Sequence, residues 1–156
     1  GDEVILPTNT FVATAQVVTY FGAVPVLCDI EEDTHNMSVS SLEKLFTSRT
    51  RAVIPVHFSG QPCDMDEIME AAGKRGIPVI EDAAHALPSE YKGRIVGTIG
   101  DMTCFSFYAT KTLAMGEGGM VVTANEAYAS RVRINRSHGI SRDAWDRYTL
   151  KGNWYY

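Results

Sequence analysis

Between residues 3 and 82 short apolar runs alternate with segments of helical periodicity, and this rhythm restricts the fold more than any other feature of the chain. Glu3–Pro7, Pro25–Ile30, Arg51–His57 and Ile77–Asp82 each have strand length and apolar character. From Thr10 to Phe21, Phe11, Ala15, Val18 and either Tyr20 or Phe21 recur at helical spacing, and Gly22 supplies a stop signal. Ser40 with Glu43 and Asp64 with Glu67 have capping-box spacing, opening helices that run to about Phe46 and Lys74. Strands separated by helices pair in parallel through crossover connections. The class is therefore α/β, with a mostly parallel sheet covered on both faces. Ligands of such sheets bind beyond the carboxyl ends of the strands. That edge holds Asp82, His57 and, after a later strand, the loop bearing Lys111.

The second half is less regular. Tyr91–Gly97 reads as a small hairpin turning at Lys92-Gly93. Two strand-like runs, one beginning at Met102 and ending just before Lys111 and the other Met120–Thr123, flank a polar, glycine-rich loop. Asn125 can cap a last helix through about Ser137, ended by His138-Gly139. There is no internal repeat and no low-complexity segment.

The 156 residues are 45% hydrophobic and carry a net charge of −5, which argues for a globular domain and against a general nucleic-acid or acidic-membrane surface. Charge is segregated: residues 1–70 hold 11 acids against 3 bases, whereas Arg131, Arg133, Arg136, Arg142, Arg147 and Lys151 crowd the far end, where a solvated helix face accounts for them. Cys28, Cys63 and Cys104 are odd in number and widely spaced, as expected of reduced thiols in a cytoplasmic protein. No charged-then-apolar leader and no membrane-spanning run is visible. Both ends are abrupt, and the expectation is an internal piece of a longer protein.

Lys111 stands between two buried strands, on a loop whose only nearby carboxylate is Glu117. Either its head reaches water or it is desolvated enough to attack a carbonyl. Asp82 and His85 lie three residues apart at a strand end, separated by two alanines. Taken singly, Asp82 reads as a helix cap and His85 as an ordinary hydrogen-bonded histidine. The four histidines lack metal-ligand spacing, so no metal site is expected. The combination says more. Pyridoxal phosphate (PLP) needs a lysine for a Schiff base, an acid facing its ring nitrogen and neutral donors for its phosphate. Asp82, Lys111 and Ser106 supply those three types.

The ordered series Gly-Asp-Glu-Val-Ile, Thr-Phe-Val-Ala-Thr-Ala, Gly-Ala-x-Pro-Val, Pro-Val-His, Asp-Met-Asp, Glu-Asp-Ala-Ala-His-Ala, Phe-Ser-Phe…Lys and Gly-Glu-Gly-Gly resembles the DegT/DnrJ/EryC1/StrS family of sugar aminotransferases, of PLP fold type I. The resemblance runs through all 156 residues. It implies a three-layer large domain, incomplete here, whose last strand, Met120–Thr123, is antiparallel. Residues 1–137 would belong to that domain, and residues 138–156 would start a linker toward a small domain. Lys111 would bond the cofactor and shuttle protons, and Asp82 would pair with the pyridinium nitrogen. His85 would lie near the ring and its phenolic oxygen, Phe11 would stack on the ring, and Ser106 would bind the phosphate, with Thr10 a weaker candidate in the same pocket. Glu117 is expected to be structural. Relatives that act as sugar dehydratases carry histidine in place of the lysine, so Lys111 favours transamination, with L-glutamate as amino donor and a keto sugar on a nucleotide as acceptor. A homodimer is implied as well. Leu87-Pro-Ser89 departs from the glycine-containing turn of many relatives. Two other readings are a PLP-binding regulatory homologue and a nucleotide-binding α/β domain; no Gly-x-Gly-x-x-Gly or Walker-type loop supports the second.

Overall fold

The structure is a computed structural model in which residues 1–139 are described. Strand β1 (Glu3–Pro7) lies between β2 (Val24–Cys28) and β3 (Thr50–Val53), parallel to both. Strand β4 (Ile80–Asp82) is joined to the β3 segment by parallel bridges, Val53 with Val79 and Val56 with Asp82. Glu90–Tyr91 (β5) and Arg94–Ile95 (β6) form a separate antiparallel hairpin. Strand β7 (Met102–Ser106) runs parallel to β4, and β8 (Gly119–Val122) closes the order as an antiparallel neighbour of β7. The spatial sequence is thus β2-β1-β3-β4-β7-β8, mostly parallel, with the last strand reversed as expected.

Among the described residues, three of the four α-helices form the outer layers or flank them: α1 (Val12–Tyr20), α2 (Val39–Leu45) and α3 (Met65–Gly73). Successive strand side chains point to opposite faces. In β1, Ile5 packs with Leu42 of α2 and with Met65, Ile68, Ala71 and Ala72 of α3, while Leu6 joins Val18 of α1 on the other side. A strand apolar on both faces needs a layer on each, and these helices provide them. The fourth helix, α4 (Glu126–Asn135), has no buried side chain and flanks β8.

The regular strands are shorter than the apolar runs. Pro55 and Pro78 have no N–H to give a ladder, so the regular pairing stops short of each. Their carbonyls still contribute, with Pro55 accepting the Asp82 N–H at 2.9 Å and Pro78 that of Val53 at 3.1 Å. Helix α2 begins from Ser38 and not from Ser40, which already lies inside the helix with its hydroxyl 3.1 Å from that of Ser38. Asp64 caps α3 by position but makes no side-chain cap bond. Asn125 does cap α4, its Oδ1 accepting the N–H groups of Ala127 and Tyr128. Lys92 and Gly93 both adopt positive φ, the conformation a two-residue hairpin turn requires. Among the described residues no helix is long and apolar enough to cross a membrane. The linker expected over 138–156 lies, from Ile140 onward, outside the described residues.

Candidate active site

The carboxyl ends of β1, β3, β4 and β7 share one edge of the sheet, because these strands are parallel. Thr10 and Phe11 follow β1, Asp82 ends β4, Ser106 ends β7 and Lys111 follows it. Since β4 and β7 are hydrogen-bonded neighbours, with Asp82 opposite Cys104, the Lys111 loop leaves the edge beside Asp82.

Asp82 is held on every side. Its N–H reaches Pro55 O and its carbonyl accepts the His57 N–H at 3.1 Å. Of its side-chain oxygens, Oδ1 accepts the Ala84 N–H at 3.1 Å and Oδ2 accepts the Thr14 hydroxyl at 2.8 Å. Thr14 accepts in turn from the Thr10 hydroxyl at 2.7 Å. Thr10 and Asp82, picked from the sequence separately, are thus joined through a residue that sequence reasoning passed over. The only local signal was the i, i+4 spacing of Thr10, just before α1, and Thr14 in its first turn, which says nothing of Asp82.

The preceding residue faces the other way. Glu81 is wholly buried, and its carboxylate accepts from His57 Nε2 at 2.8 Å, Thr103 Oγ1 at 2.7 Å and Gly100 N at 2.7 Å. A Cβ at position 100 would sit 3.0 Å from Glu81 Cγ, so only glycine lets that N–H approach. His57 Nδ1 accepts the Cys63 N–H at 3.1 Å, which leaves the ring proton on Nε2, aimed at Glu81. Burial pushes the Glu81 carboxyl up, but the His57, Thr103 and Gly100 hydrogen bonds outweigh it and hold the group below its ordinary range. His57, which the strand-end rule placed among the site candidates, is therefore sealed inside the sheet and serves Glu81 instead. Burial also pushes the neighbouring Cys63 thiol up to about 12.

The remaining candidates are more open. Phe11 is 76% exposed at the start of α1, and His85 is exposed in the turn after β4. Ser106 is half-buried, its Oγ accepting the Tyr108 N–H at 3.3 Å. Lys111 is half-buried and its N–H closes a turn onto Tyr108 O at 2.9 Å. Among the described residues it forms no ion pair, with Glu117 or any other acid. Its loop is pinned at the neck, where Phe107 N donates to Gly118 O and Met115 N to Phe107 O, both at 2.8 Å. The donor set suits PLP: a carboxylate with a fixed plane, an amine without a carboxylate partner, a hydroxyl and an exposed aromatic face. Among the described residues no group of His, Cys, Asp and Glu could hold a metal ion.

Residues 1–153 match the DegT/DnrJ/EryC1/StrS aminotransferase family. The chain belongs to that family. An uncharacterised protein of Methanocaldococcus jannaschii is 56% identical over 155 residues, covering 99% of this chain and 40% of the relative. The spore coat polysaccharide biosynthesis protein SpsC of Bacillus subtilis is 53% identical over 156 residues, covering 100% and 40%. The chain thus spans about 40% of the length of the curated relatives it matches.

Among solved members and neighbours, the aminotransferase from Psychrobacter cryohalolentis superposes with a TM-score of 0.89 at 39% identity, over 100% of this chain and 40% of that one. DesI, solved with its TDP-sugar product, gives 0.86 at 40% identity, over 90% and 36%. The PLP form of Spr1654 from Streptococcus pneumoniae, described as a sugar aminotransferase, gives 0.85 at 36% identity, over 92% and 42%. The described fold matches part of the large domain of fold-type-I aminotransferases.

Proposed function

We propose that this chain is the cofactor-binding part of a PLP-dependent aminotransferase that moves an amino group, supplied by L-glutamate, onto a keto sugar carried by a nucleotide. The observation that carries the reading is the pairing of Asp82, gripped by two donors, with Lys111 on the loop leaving the neighbouring strand. SpsC in polysaccharide biosynthesis and DesI with a TDP-sugar support the sugar assignment. When bound, PLP supplies an electron sink for the pair left on the substrate carbon as its proton departs.

The chain's own groups do the rest. Asp82 would hold the ring nitrogen through its N–H and favour that nitrogen's protonated form. Phe11 offers its exposed face to the flat ring, with His85 beside the ring's phenolic oxygen. Ser106 Oγ donates to a phosphate oxygen, with Thr10 close to the same pocket. Lys111 Nζ would be the amine that holds the cofactor and the group that carries the proton in the exchange. A lysine at that position, where dehydrating relatives resembling this family have histidine, supports amino transfer. The intact protein is read as a cytoplasmic homodimer, with residues 1–137 in its large domain and 138–156 leading toward a small domain.

The experiment is an absorption spectrum of the intact protein with added PLP, followed by borohydride reduction and peptide mapping. A shifted cofactor band that glutamate bleaches, with the label on Lys111, is the expected result. Label on another lysine would overturn the assignment, and a band that glutamate leaves untouched would favour a regulatory homologue.

A further inference from the structure

Thr14 lies in the first turn of α1, buried, 68 residues before the side chain it contacts. Chemistry fixes the direction of that contact. An ionised carboxylate only accepts, so the Thr14 proton points at Asp82 Oδ2, and the lone pairs of Thr14 Oγ1 are left to receive the Thr10 proton. The result is a directed chain in which each hydroxyl polarises the next. Thr10 has no second proton. With its O–H turned to Thr14 at 2.7 Å, that hydroxyl cannot also donate to a phosphate oxygen.

The grip on Asp82 comes from two separate parts of the chain. The Ala84 N–H on Oδ1 is local and belongs to the turn after β4, whereas the Thr14 hydroxyl on Oδ2 arrives from the helix after β1. A carboxylate with a donor on each oxygen cannot rotate about its last bond without losing one of them. With the local donor alone it could swing. Resting on the PLP reading above, we propose that Thr14 is a positioning residue for Asp82, fixing the plane in which that carboxylate meets the cofactor's ring nitrogen, and that Thr10 acts through Thr14.

The test uses the intact protein with Thr14→Val, which keeps the volume and deletes the hydroxyl, and Thr14→Ser, which keeps the hydroxyl. Three quantities are read: the unfolding midpoint of the cofactor-free protein, the PLP dissociation constant, and the 15N resonance of PLP labelled at its ring nitrogen. Thr14→Val is expected to hold its midpoint within about 4 °C. Its PLP affinity should fall about tenfold, the scale of one hydrogen bond to a charged group, and its nitrogen resonance should move toward the unprotonated position. Thr14→Ser should restore both. Wild-type affinity and an unmoved resonance in Thr14→Val would overturn the proposal. So would equal losses in Val and Ser variants accompanied by a large drop in midpoint, which would make Thr14 a packing residue. Failure of the wild-type protein to bind PLP would overturn the cofactor assignment, and this inference with it.

Discussion

Strand β4 places two carboxylates back to back, and the regions they occupy differ in every respect except chemistry. Beneath the sheet edge Glu81 is dry, satisfied by three donors and paired with a histidine whose other nitrogen is also engaged. Above it Asp82 is half-buried, with one donor on each oxygen and lone pairs left over. A carboxylate whose bonds are all made inside the protein has nothing to offer a ligand; one held but not saturated does. The contrast sets a sealed acid beside an open one along a single strand, where alternation sends neighbours to opposite faces.

Four measurements bear on that contrast. On the open side, Lys111→Ala should lower the glutamate half-reaction by at least ~10^4-fold, as loss of a nucleophile that also carries the proton does. Its unfolding midpoint should stay at the wild-type value, and a large drop would place Lys111 among the structural residues. On the sealed side, His57→Leu should cost about 3 kcal/mol in urea unfolding, because Glu81 Oε2 is left without its donor in a dry site. Pairing it with Glu81→Met should recover most of that loss.

Acid should find the same region. With its folded value lowered, Glu81 binds its proton less readily in the native state than in the unfolded one. Its contribution is complete above the ordinary glutamate value of 4.5 and is lost as pH falls through the lower folded value. Urea midpoints taken from pH 7 to pH 3 should therefore drop less in the His57→Leu/Glu81→Met protein than in the wild type. The smallest effect belongs to an exposed acid: Lys74→Ala, which breaks the surface pair with Glu70, should leave the midpoint unchanged.

What could be read ahead of the structure follows the same division. Elements specified by neighbouring residues were legible: β1 falls on its predicted residues, Asn125 caps α4, and Lys92-Gly93 turns the hairpin. The layer order followed from strand and helix alternation. Features made by distant partners were not legible. Nothing near Thr14 announces Asp82, and His57 looked like an edge residue until Glu81, 24 positions later, was seen to claim it. The spacing of Ser40 to Glu43 points to Ser40 as the helix start, but the helix begins two residues earlier, from Ser38. The strand ends were overdrawn at the prolines, where an apolar run continues but ladder donors do not.

The position of β1 has a consequence for synthesis. This strand sits inside the sheet, flanked by β2 and β3, yet it leaves the ribosome before either of them. At 5–20 residues per second, the segment that completes its second side emerges roughly 2–10 s later. Throughout that interval Ile5 and Leu6, wholly buried in the finished fold, are on a strand with open edges. The edge that gathers Thr14, Asp82 and Lys111 closes later still. The nascent chain therefore passes through a stage in which its central, later fully buried strand is available to any passing partner, and a holding chaperone should be found on this segment in ribosome-bound chains.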